Sequence, residues 1–309
     1  MKIAIIDSGI NLEYNDFKHS KFEIIDFIKT KETDICGHGT SCCGEIVNWK
    51  NNADFLILKV LDGNNRASLD ILYQALNYCL CRDDVYIINI SCSWNTIDQE
   101  INYMCFDLIQ KLNESGKIVV SSFENDREEK YTSYPAAFVN TWGVRHKYSK
   151  IDKIEYDLER KNCIFYGSYK LMPHKNGEYK FFRGNSAFSA RLSGILYYYL
   201  EDLRCCEIFK VFEDYNKRDI HDLQKGERKF FTKQDLYECL LNVNYEKYKK
   251  VFEQHEGDIA TFIIEKECLQ ILRMIERKKG IKIKYTEFSC EDFCNINKMI
   301  EMINKYGKK

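Results

Sequence analysis

The sequence has almost no net charge and no long hydrophobic run. Its 309 residues include 46 Lys and Arg against 47 Asp and Glu, so the formal net charge is −1. A nearly balanced charge gives no reason to expect nucleic acid or an anionic membrane surface as a partner. No apolar stretch approaches the roughly 20 residues that a membrane-spanning helix needs, so we expect no membrane partner.

The N-terminus lacks the features of a secretion signal. The segment MKIAIID has one lysine and a short apolar run that ends at Asp7. That run is too short for the core of a signal peptide, and no cleavage site follows it. It is typical of a buried strand, and we expect the protein to be cytoplasmic.

Cysteine is abundant, but the patterns of disulfide and zinc frameworks are missing. Without a secretion signal, the 14 cysteines are expected to stay reduced and to pack as small apolar side chains. The densest group, Cys36, Cys42 and Cys43 around His38, leaves a zinc site open as an alternative. Because no Cys-x-x-Cys pair accompanies it, we predict no metal site and no cofactor.

Short apolar runs alternate with helical patterns over the first two hundred residues. This alternation predicts an α/β fold, with a parallel sheet flanked by helices. Functional residues of such sheets collect on loops at the carboxyl ends of the strands. The predicted strands lie at 2–7, 53–61, 84–91 and 116–123, and the predicted helices between them at 68–81 and 99–116.

Composition changes after residue 210. The sequence predicts a first domain over 1–210 and a charged linker over 211–229, where apolar residues are few. It predicts a small all-α domain over 230–309. Thr232 is placed to cap its first helix, and further helical patterns span 245–256, 260–280 and 291–306.

Three stretches contain the residue types that acyl transfer requires. A serine nucleophile needs a base, a carboxylate that orients the base, and donors for the oxyanion. Asp7 ends the first predicted strand, His38 stands between two glycines, and three serines lie within 181–194. Each stretch alone has a structural explanation, because such residues are common in turns and in tightly packed helices.

Taken in order, these stretches carry a resemblance to a known family. IAIIDSGI, GHGT and GNSAFSA resemble the aspartate, histidine and serine motifs of the subtilisin-like serine proteases, the subtilases. INISCSW at 88–94 is similar to the family's substrate-binding edge strand, and 119–144 is similar to the segment that carries its oxyanion asparagine. The resemblance covers about residues 1–205 and implies the subtilisin-like α/β fold.

The resemblance implies a role for four residues. Ser186 would be the nucleophile, His38 the base, Asp7 the carboxylate that orients it, and Asn125 an oxyanion donor together with the Ser186 N–H. The other two serines of 181–194, Ser189 and Ser193, would be small residues within the helix that Ser186 begins.

The resemblance also implies how a peptide or protein substrate binds. The substrate would lie extended beside Ser91, Cys92 and Ser93 and add a strand there. Glu124 precedes Asn125, and we expect it to border the pocket for the residue before the cut. It could favour a basic residue at that position; a solvated surface glutamate is the alternative.

Some positions depart from the family pattern. Asn185 stands where subtilases have threonine, and Phe188 stands where they have a small residue. Phe123, like Glu124, replaces a small residue ahead of Asn125. From these changes we expect a narrow cleft that accepts few substrates. Because the first strand begins at residue 2, we also expect no inhibitory segment ahead of it.

The C-terminal segment 267–303 resembles an acyl or peptidyl carrier domain. Glu267, Cys268 and Leu269 stand where that family has the Asp-Ser-Leu that bears phosphopantetheine. The segment would then be a degenerate carrier domain without a prosthetic group. A peptide-maturation partner could dock on its helices. A generic helical packing module explains the same pattern.

Together these features predict an intracellular serine endopeptidase. We expect it to process a specific peptide precursor, such as the leader of a ribosomally made, modified peptide. Two alternatives remain: a general cytosolic turnover protease, and a catalytically weak or inactive module that binds peptides without cutting them.

Overall fold

A computed structural model describes residues 1–30, 33–94, 99–125, 132–202, 208–217, 230–254 and 259–308. The strands are β1 (Lys2–Asp7), β2 (Lys21–Asp26), β3 (Asp54–Lys59), β4 (Val85–Ile90), β5 (Ile118–Ser122), β6 (Trp142–Tyr148), β7 (Lys153–Asp157), β8 (Asn162–Gly167), β9 (Leu171–Pro173) and β10 (Tyr179–Phe181). The α-helices are α1 (His38–Val47), α2 (Leu69–Leu80), α3 (Gln99–Glu114), α4 (Asn185–Asp202), α5 (Ile208–Lys217), α6 (Lys233–Val243), α7 (Tyr245–Gln254), α8 (Glu265–Lys279) and α9 (Ile296–Asn304).

Eight strands form one sheet in the order β2-β3-β1-β4-β5-β6-β8-β7. All neighbours are parallel except β7, which runs antiparallel to β8 at the edge. The four strands predicted from buried apolar runs, β1, β3, β4 and β5, lie side by side in the middle of the sheet. The predicted α/β fold with a parallel sheet flanked by helices is confirmed.

The register of the central parallel strands places their carboxyl ends next to one another, at the same end of the sheet. Ile6 lies opposite Ile90, and Ile90 lies opposite Ser121. Asp7, the residue after Ile6, therefore lies near the chain that follows β4 and near the end of β5. Helices α1 and α4 pack closely beside these strands, since a methyl group on Gly194 of α4 would lie 3.0 Å from the Cα of Ile46 in α1.

The chain divides into two compact units. The first contains Met1–Gly167, Pro173–Glu178 and Phe182–Arg218; the second contains Ser168–Met172, Tyr179–Phe181 and Asp219–Lys309. The sequence did not predict that two short segments from the 168–181 region belong to the second unit. One reason is that the Leu171 N–H donates to the Phe288 carbonyl at 2.9 Å.

Part of the predicted linker is helical. Helix α5 covers Ile208–Lys217, and Val211, Phe212 and Tyr215 are buried on one side of it. The charges of this stretch lie on the other face, which is why the composition alone suggested a linker over 211–229. The remainder of that stretch, 218–229, lies outside the described residues.

The second unit encloses its own apolar core. Its helices begin and end with recognisable caps: Thr232 and Asp235 form a reciprocal capping box at α6, as the sequence predicted for Thr232. Gly280, with φ of 65°, ends α8. The fully buried core side chains include Phe231, Leu236, Leu240, Tyr248, Ile271, Leu272, Ile275, Phe288, Met299 and Ile303.

Two helical patterns in this unit are broken where the sequence predicted single helices. The pattern at 260–280 divides into a 3-10 turn, Ile259–Phe262, and α8, because the carboxylate of Glu267 caps the Ile264 N–H. The pattern at 291–306 divides into a 3-10 turn, Cys290–Phe293, and α9, whose new start is capped by Asn295. Among the described residues, no helix is long and apolar enough to span a bilayer.

Candidate active site

The centre of the candidate site is a buried carboxylate paired with a histidine. Asp7 is the last residue of β1 and has no exposed surface. The Nδ1 of His38 lies 2.8 Å from its Oδ1 and 3.0 Å from its Oδ2. The backbone N–H and hydroxyl of Ser8 also donate to Oδ1, at 2.7 and 3.1 Å. The structure thus brings the predicted Asp7 and His38 together.

Each member of this pair shifts the pKa of the other. Burial by itself would raise the pKa of Asp7, but the charge and hydrogen bond of His38 outweigh it and hold the pKa below its usual 3.8. Burial would lower the pKa of His38, and the Asp7 carboxylate instead raises it above 6.5. The pair therefore favours a ring that carries a proton on Nδ1 and accepts another on Nε2.

Asp34 holds the start of the helix that carries His38. Gly37, with φ of 78°, precedes the helix, and Asp34 accepts hydrogen bonds from the N–H groups of Gly37 and Thr40, each at 2.9 Å. The Ser8 hydroxyl donates to Asp34 at 2.9 Å. Our sequence reasoning missed Asp34, although a carboxylate a few residues ahead of a helix start is a common capping signal.

Ser186 is the second residue of α4 and is 8 % exposed. Its Oγ lies 3.5 Å from the Ser122 Oγ and 3.5 Å from the Ser91 carbonyl oxygen. Within the described part of the chain, His38 is not among its hydrogen-bond partners. Such catalytic hydrogen bonds are often long in a resting site and tighten only when substrate is bound.

The other two serines of the helix are fully buried. Ser189 Oγ donates to the Ser186 carbonyl at 3.0 Å, and Ser193 Oγ donates to the Asn89 side chain at 3.1 Å. Both are small helix residues that the neighbouring strand covers, as the sequence predicted.

Asn125 lies immediately beside the residues that precede Ser186. Its Oδ1 accepts a hydrogen bond from the Asn185 backbone N–H at 2.8 Å. The side-chain Nδ2 is thereby left as the donor of Asn125. The first N–H groups of a helix have no intrahelical acceptor, so the start of α4 adds donors of its own at this point.

The candidate substrate segment follows β4. Ser91 is buried, Cys92 is half-buried and Ser93 is exposed. The next residue, Trp94, exchanges two backbone hydrogen bonds of 2.8 Å with Tyr134. A substrate strand added beside 91–93 would therefore end at this pair.

Near the Trp94–Tyr134 pair lies a cavity of about 430 Å³. One side of it is the first half of α3 and the other is the chain after Tyr134. Its lining residues are Gln99, Asn102, Tyr103, Phe106, Tyr134, Ala137, Phe138 and Val139. The cavity offers mostly aromatic and apolar surface and two amide side chains.

The bulky departures from the family pattern do not narrow the site as expected. Phe188 has no exposed surface; its ring stacks on His146 at 3.8 Å, and the Arg191 guanidinium covers it. Phe123 is 8 % exposed and packs beneath the Arg145 guanidinium at 3.5 Å. Both rings turn into the protein because the sheet around β6 provides partners for them. Glu124, in contrast, is exposed.

The cysteines near His38 do not form the zinc cluster that was left open. Cys42 Sγ lies 3.6 Å from Asp7 and 3.9 Å from His38 Nδ1, whereas Cys36 Sγ contacts Asn65 at 2.8 Å. In the described chain, Asp7, His38 and Cys42 are the one group of three close enough to share a metal ion. Burial raises the pKa of the Cys42 thiol well above 9.0.

Cys268, which the sequence analysis compared with the serine of a carrier domain, lies in α8 of the second unit. It is 2 % exposed, and its thiol donates to the carbonyl of Ile264, the residue that precedes α8. Glu267 beside it accepts hydrogen bonds from the Tyr248 hydroxyl and Lys247, each at 2.6 Å. These side chains serve the packing of the unit, and a group attached at Cys268 would have no route to solvent.

The fold and the order of these residues are those of a subtilisin-like serine protease. The chain belongs to the subtilase family, whose sequence profile, Peptidase_S8, matches residues 1–202. The minor extracellular protease Epr of Bacillus subtilis (strain 168) is 29 % identical over 154 residues, which are 47 % of this chain and 23 % of Epr. The chain thus spans less than a quarter of the length of this curated relative.

Solved structures share the fold at low sequence identity. A cold-adapted subtilisin-like serine proteinase superposes with a TM-score of 0.55 at 18 % identity, covering 72 % of this chain and 82 % of its own. The prenylagaramide maturation protease PagA gives 0.54 at 18 % identity, covering 65 % and 77 %. A lanthipeptide protease gives 0.55 at 18 % identity, covering 69 % and 78 %.

Proposed function

We propose that this protein hydrolyses peptide bonds with Ser186 as nucleophile, His38 as base and Asp7 as the carboxylate that orients the base. The observation that carries this proposal is the buried Asp7–His38 pair, in which His38 Nδ1 lies 2.8 Å from Asp7 Oδ1. This pair and the start of α4 both lie at the carboxyl ends of the central strands. A serine at a helix start has N–H donors and the helix dipole beside it, and these stabilise a developing oxyanion.

The proposed reaction begins when a substrate carbonyl reaches Ser186. The Oγ leaves its contacts with Ser122 and Ser91 and attacks the carbonyl carbon while its proton passes to Nε2 of His38. The new C–O bond turns the carbonyl oxygen into an oxyanion, which the Asn125 Nδ2 and the Ser186 N–H bind. His38 then gives the proton to the departing amine, and water releases the acyl group in a second round.

We propose that the substrate is a specific peptide precursor, bound extended beside Ser91, Cys92 and Ser93. Two structurally similar proteases, named for prenylagaramide maturation and for lanthipeptides, support this assignment by analogy of fold. The leader of a ribosomally made, modified peptide, cut in the cytoplasm, is the corresponding substrate class. Docking of a maturation partner on helices α6–α9 is part of the same proposal.

A second function is favoured by one observation. The resting Ser186 Oγ contacts Ser122 and Ser91 rather than His38. If that arrangement persisted with substrate, the groove would bind a peptide without cutting it. General turnover of cytosolic proteins is the other alternative.

A peptide-library digest, read by mass spectrometry, tests these functions. We expect the wild type and Ser193→Ala to cut a narrow set of sequences, and Ser186→Ala to cut none. Cleavage of casein at many sites would favour general turnover. Binding of library peptides without cleavage by the wild type would favour the binding module.

The digest also tests the residue before the cut. If Glu124 borders the pocket, Lys or Arg will be enriched there in the wild type and will lose that enrichment in Glu124→Gln. If substrate side chains instead enter the apolar cavity beside α3, aromatic or aliphatic residues will be enriched, and Glu124→Gln will cleave the same sequences as the wild type.

A further inference from the structure

Asn185, the residue immediately before Ser186, makes three side-chain hydrogen bonds at the start of α4. Its Oδ1 accepts from the His146 backbone N–H of β6 at 2.8 Å. Its Nδ2 donates to the carbonyls of Phe123 and Glu124, at 3.0 and 3.1 Å. One side chain therefore connects the helix start to β6 and to the turn that follows β5.

The backbone of Asn185 extends this connection to the next residue of the turn. Its N–H donates to the Asn125 Oδ1 at 2.8 Å, so Asn185 bonds to each of three consecutive residues, Phe123, Glu124 and Asn125. Gly184 permits this approach, because a methyl group there would lie 2.8 Å from both side-chain atoms of the Asn125 amide. The hydrogen bond from the Asn185 N–H turns the Asn125 Oδ1 toward Asn185 and leaves Nδ2 as the donor.

We propose that Asn185 is a positioning residue that holds the turn 123–125 against the start of α4, so that the Asn125 Nδ2 and the Ser186 N–H converge on one oxyanion. The inference rests on the proposed function of Asn125. It also explains a departure from the family sequence, in which threonine occupies this position. A threonine hydroxyl offers one donor hydrogen, so it cannot donate to both carbonyls as an amide does.

The variant that isolates this role is Asn185→Asp. Aspartate keeps the size of the side chain and the acceptor for His146. It replaces both donor hydrogens by an oxygen that faces two carbonyl oxygens, which pushes the turn away from α4. Asn140→Asp is a matched control, since the Asn140 amide likewise donates to a backbone carbonyl, that of Phe106, and is buried outside the candidate site.

The readout is the rate of phosphonylation by a fluorophosphonate, with kinact and KI measured separately. In this reaction the Ser186 oxygen forms a bond to phosphorus, fluoride leaves, the hydroxyl proton passes to His38, and the phosphoryl oxygen takes the place of the oxyanion. We expect Asn185→Asp to lower kinact on the order of 10-fold to 100-fold with KI nearly unchanged. Asn140→Asp should leave kinact at the wild-type value.

A double-mutant cycle separates positioning from a general structural effect. Asn125→Ala should lower kinact by about 10²-fold or more, and adding Asn185→Asp should then cause little further loss, because the group that Asn185 positions is absent. A full additional loss in the double mutant, or an unchanged kinact in Asn185→Asp, would overturn the inference. An unchanged kinact in Asn125→Ala would instead overturn the proposed oxyanion role of Asn125 itself.

Asn185→Thr provides a second test if Asn185→Asp does not fold. Threonine is the residue that subtilases carry at this position, and it removes at least one of the two donated hydrogen bonds. The same cycle with Asn125→Ala applies, with a smaller loss of kinact expected for the single variant. Equal kinact in Asn185→Thr and the wild type would contradict the positioning role.

Discussion

Arg191 and Glu45 form a fully buried ion pair that joins the helix of Ser186 to the helix of His38. The guanidinium meets the carboxylate at two points, Nη2 to Oε1 at 3.1 Å and Nε to Oε2 at 3.2 Å. The side chains are 1 % and 0 % exposed. The pair therefore fixes how α1 and α4 lie against each other.

Removal of one partner should be strongly destabilising. Arg191→Met leaves the Glu45 carboxylate buried without its cation, and we expect a loss of about 3–5 kcal/mol in the free energy of unfolding. Denaturant unfolding at neutral pH measures it. Lys153→Met, which removes an exposed ion pair with Glu155, is the matched control and should change stability by less than about 1 kcal/mol.

The double variant Arg191→Met with Glu45→Met tests the origin of that loss. If the cost arises from an uncompensated buried charge, the double variant will be more stable than Arg191→Met alone. A double variant that is less stable than either single variant would show that packing, and not charge, dominates at this position.

The pH dependence of activity should report the Asp7–His38 pair. Because Asp7 raises the pKa of His38 above 6.5, protonation of the base should cause kcat/KM to fall on the acid side with a midpoint above pH 6.5. In Asp7→Asn the midpoint should move to lower pH, and kcat should fall by about 10⁴-fold. A pH profile of cleavage measures both; a midpoint that Asp7→Asn leaves in place would show that another group controls the acid side.

The same pair should make stability depend on pH. A histidine with a raised pKa stabilises the fold most below 6.5, and that stabilisation is lost as the pH rises through the raised value. The lowered pKa of Asp7 keeps its carboxylate charged above 3.8. The difference in free energy of unfolding between the wild type and Asp7→Asn should therefore grow as the pH falls from about 8 to about 5. A difference that stays constant would contradict the coupling.

Cysteine alkylation should follow exposure. Cys81 and Cys294 are exposed, whereas Cys42 is buried with a pKa raised well above 9.0. Brief treatment of the native protein with iodoacetamide at pH 8, followed by peptide mapping, should modify Cys81 and Cys294 and spare Cys42. Equal modification after denaturation is the control, and rapid native modification of Cys42 would show that it is a thiolate open to solvent.

The sequence predicted the parts of the fold that local patterns encode. β1, β3, β4 and β5 are buried on both faces, so their apolar runs are continuous and easy to find. The edge strand β2 and the strands β6, β7 and β8 mix polar and apolar residues and gave no such signal. The segments at 168–172 and 179–181 enter the core of the second unit through contacts with residues more than a hundred positions away, which no local pattern contains.

The candidate site was also predicted only where local sequence motifs encode it. The motifs predicted that Asp7 and His38 would meet and placed Ser186 at a helix start. The partners of Asn185 and Arg191 could not be predicted, because each hydrogen bond joins residues far apart in sequence. Phe188 was expected at the cleft because the sequence shows only that its side chain is large. Its stacking on His146 joins residues far apart in sequence, so no local pattern contains it.

Covalent labelling of Ser186 tests the central claim most directly. The protein is incubated with a fluorophosphonate, and intact mass followed by peptide mapping locates the adduct. We predict one adduct, on Ser186, in the wild type and in Ser193→Ala, and none in Ser186→Ala. Folded wild-type protein that gains no adduct, or an adduct that persists in Ser186→Ala, would contradict the assignment of Ser186 as the nucleophile.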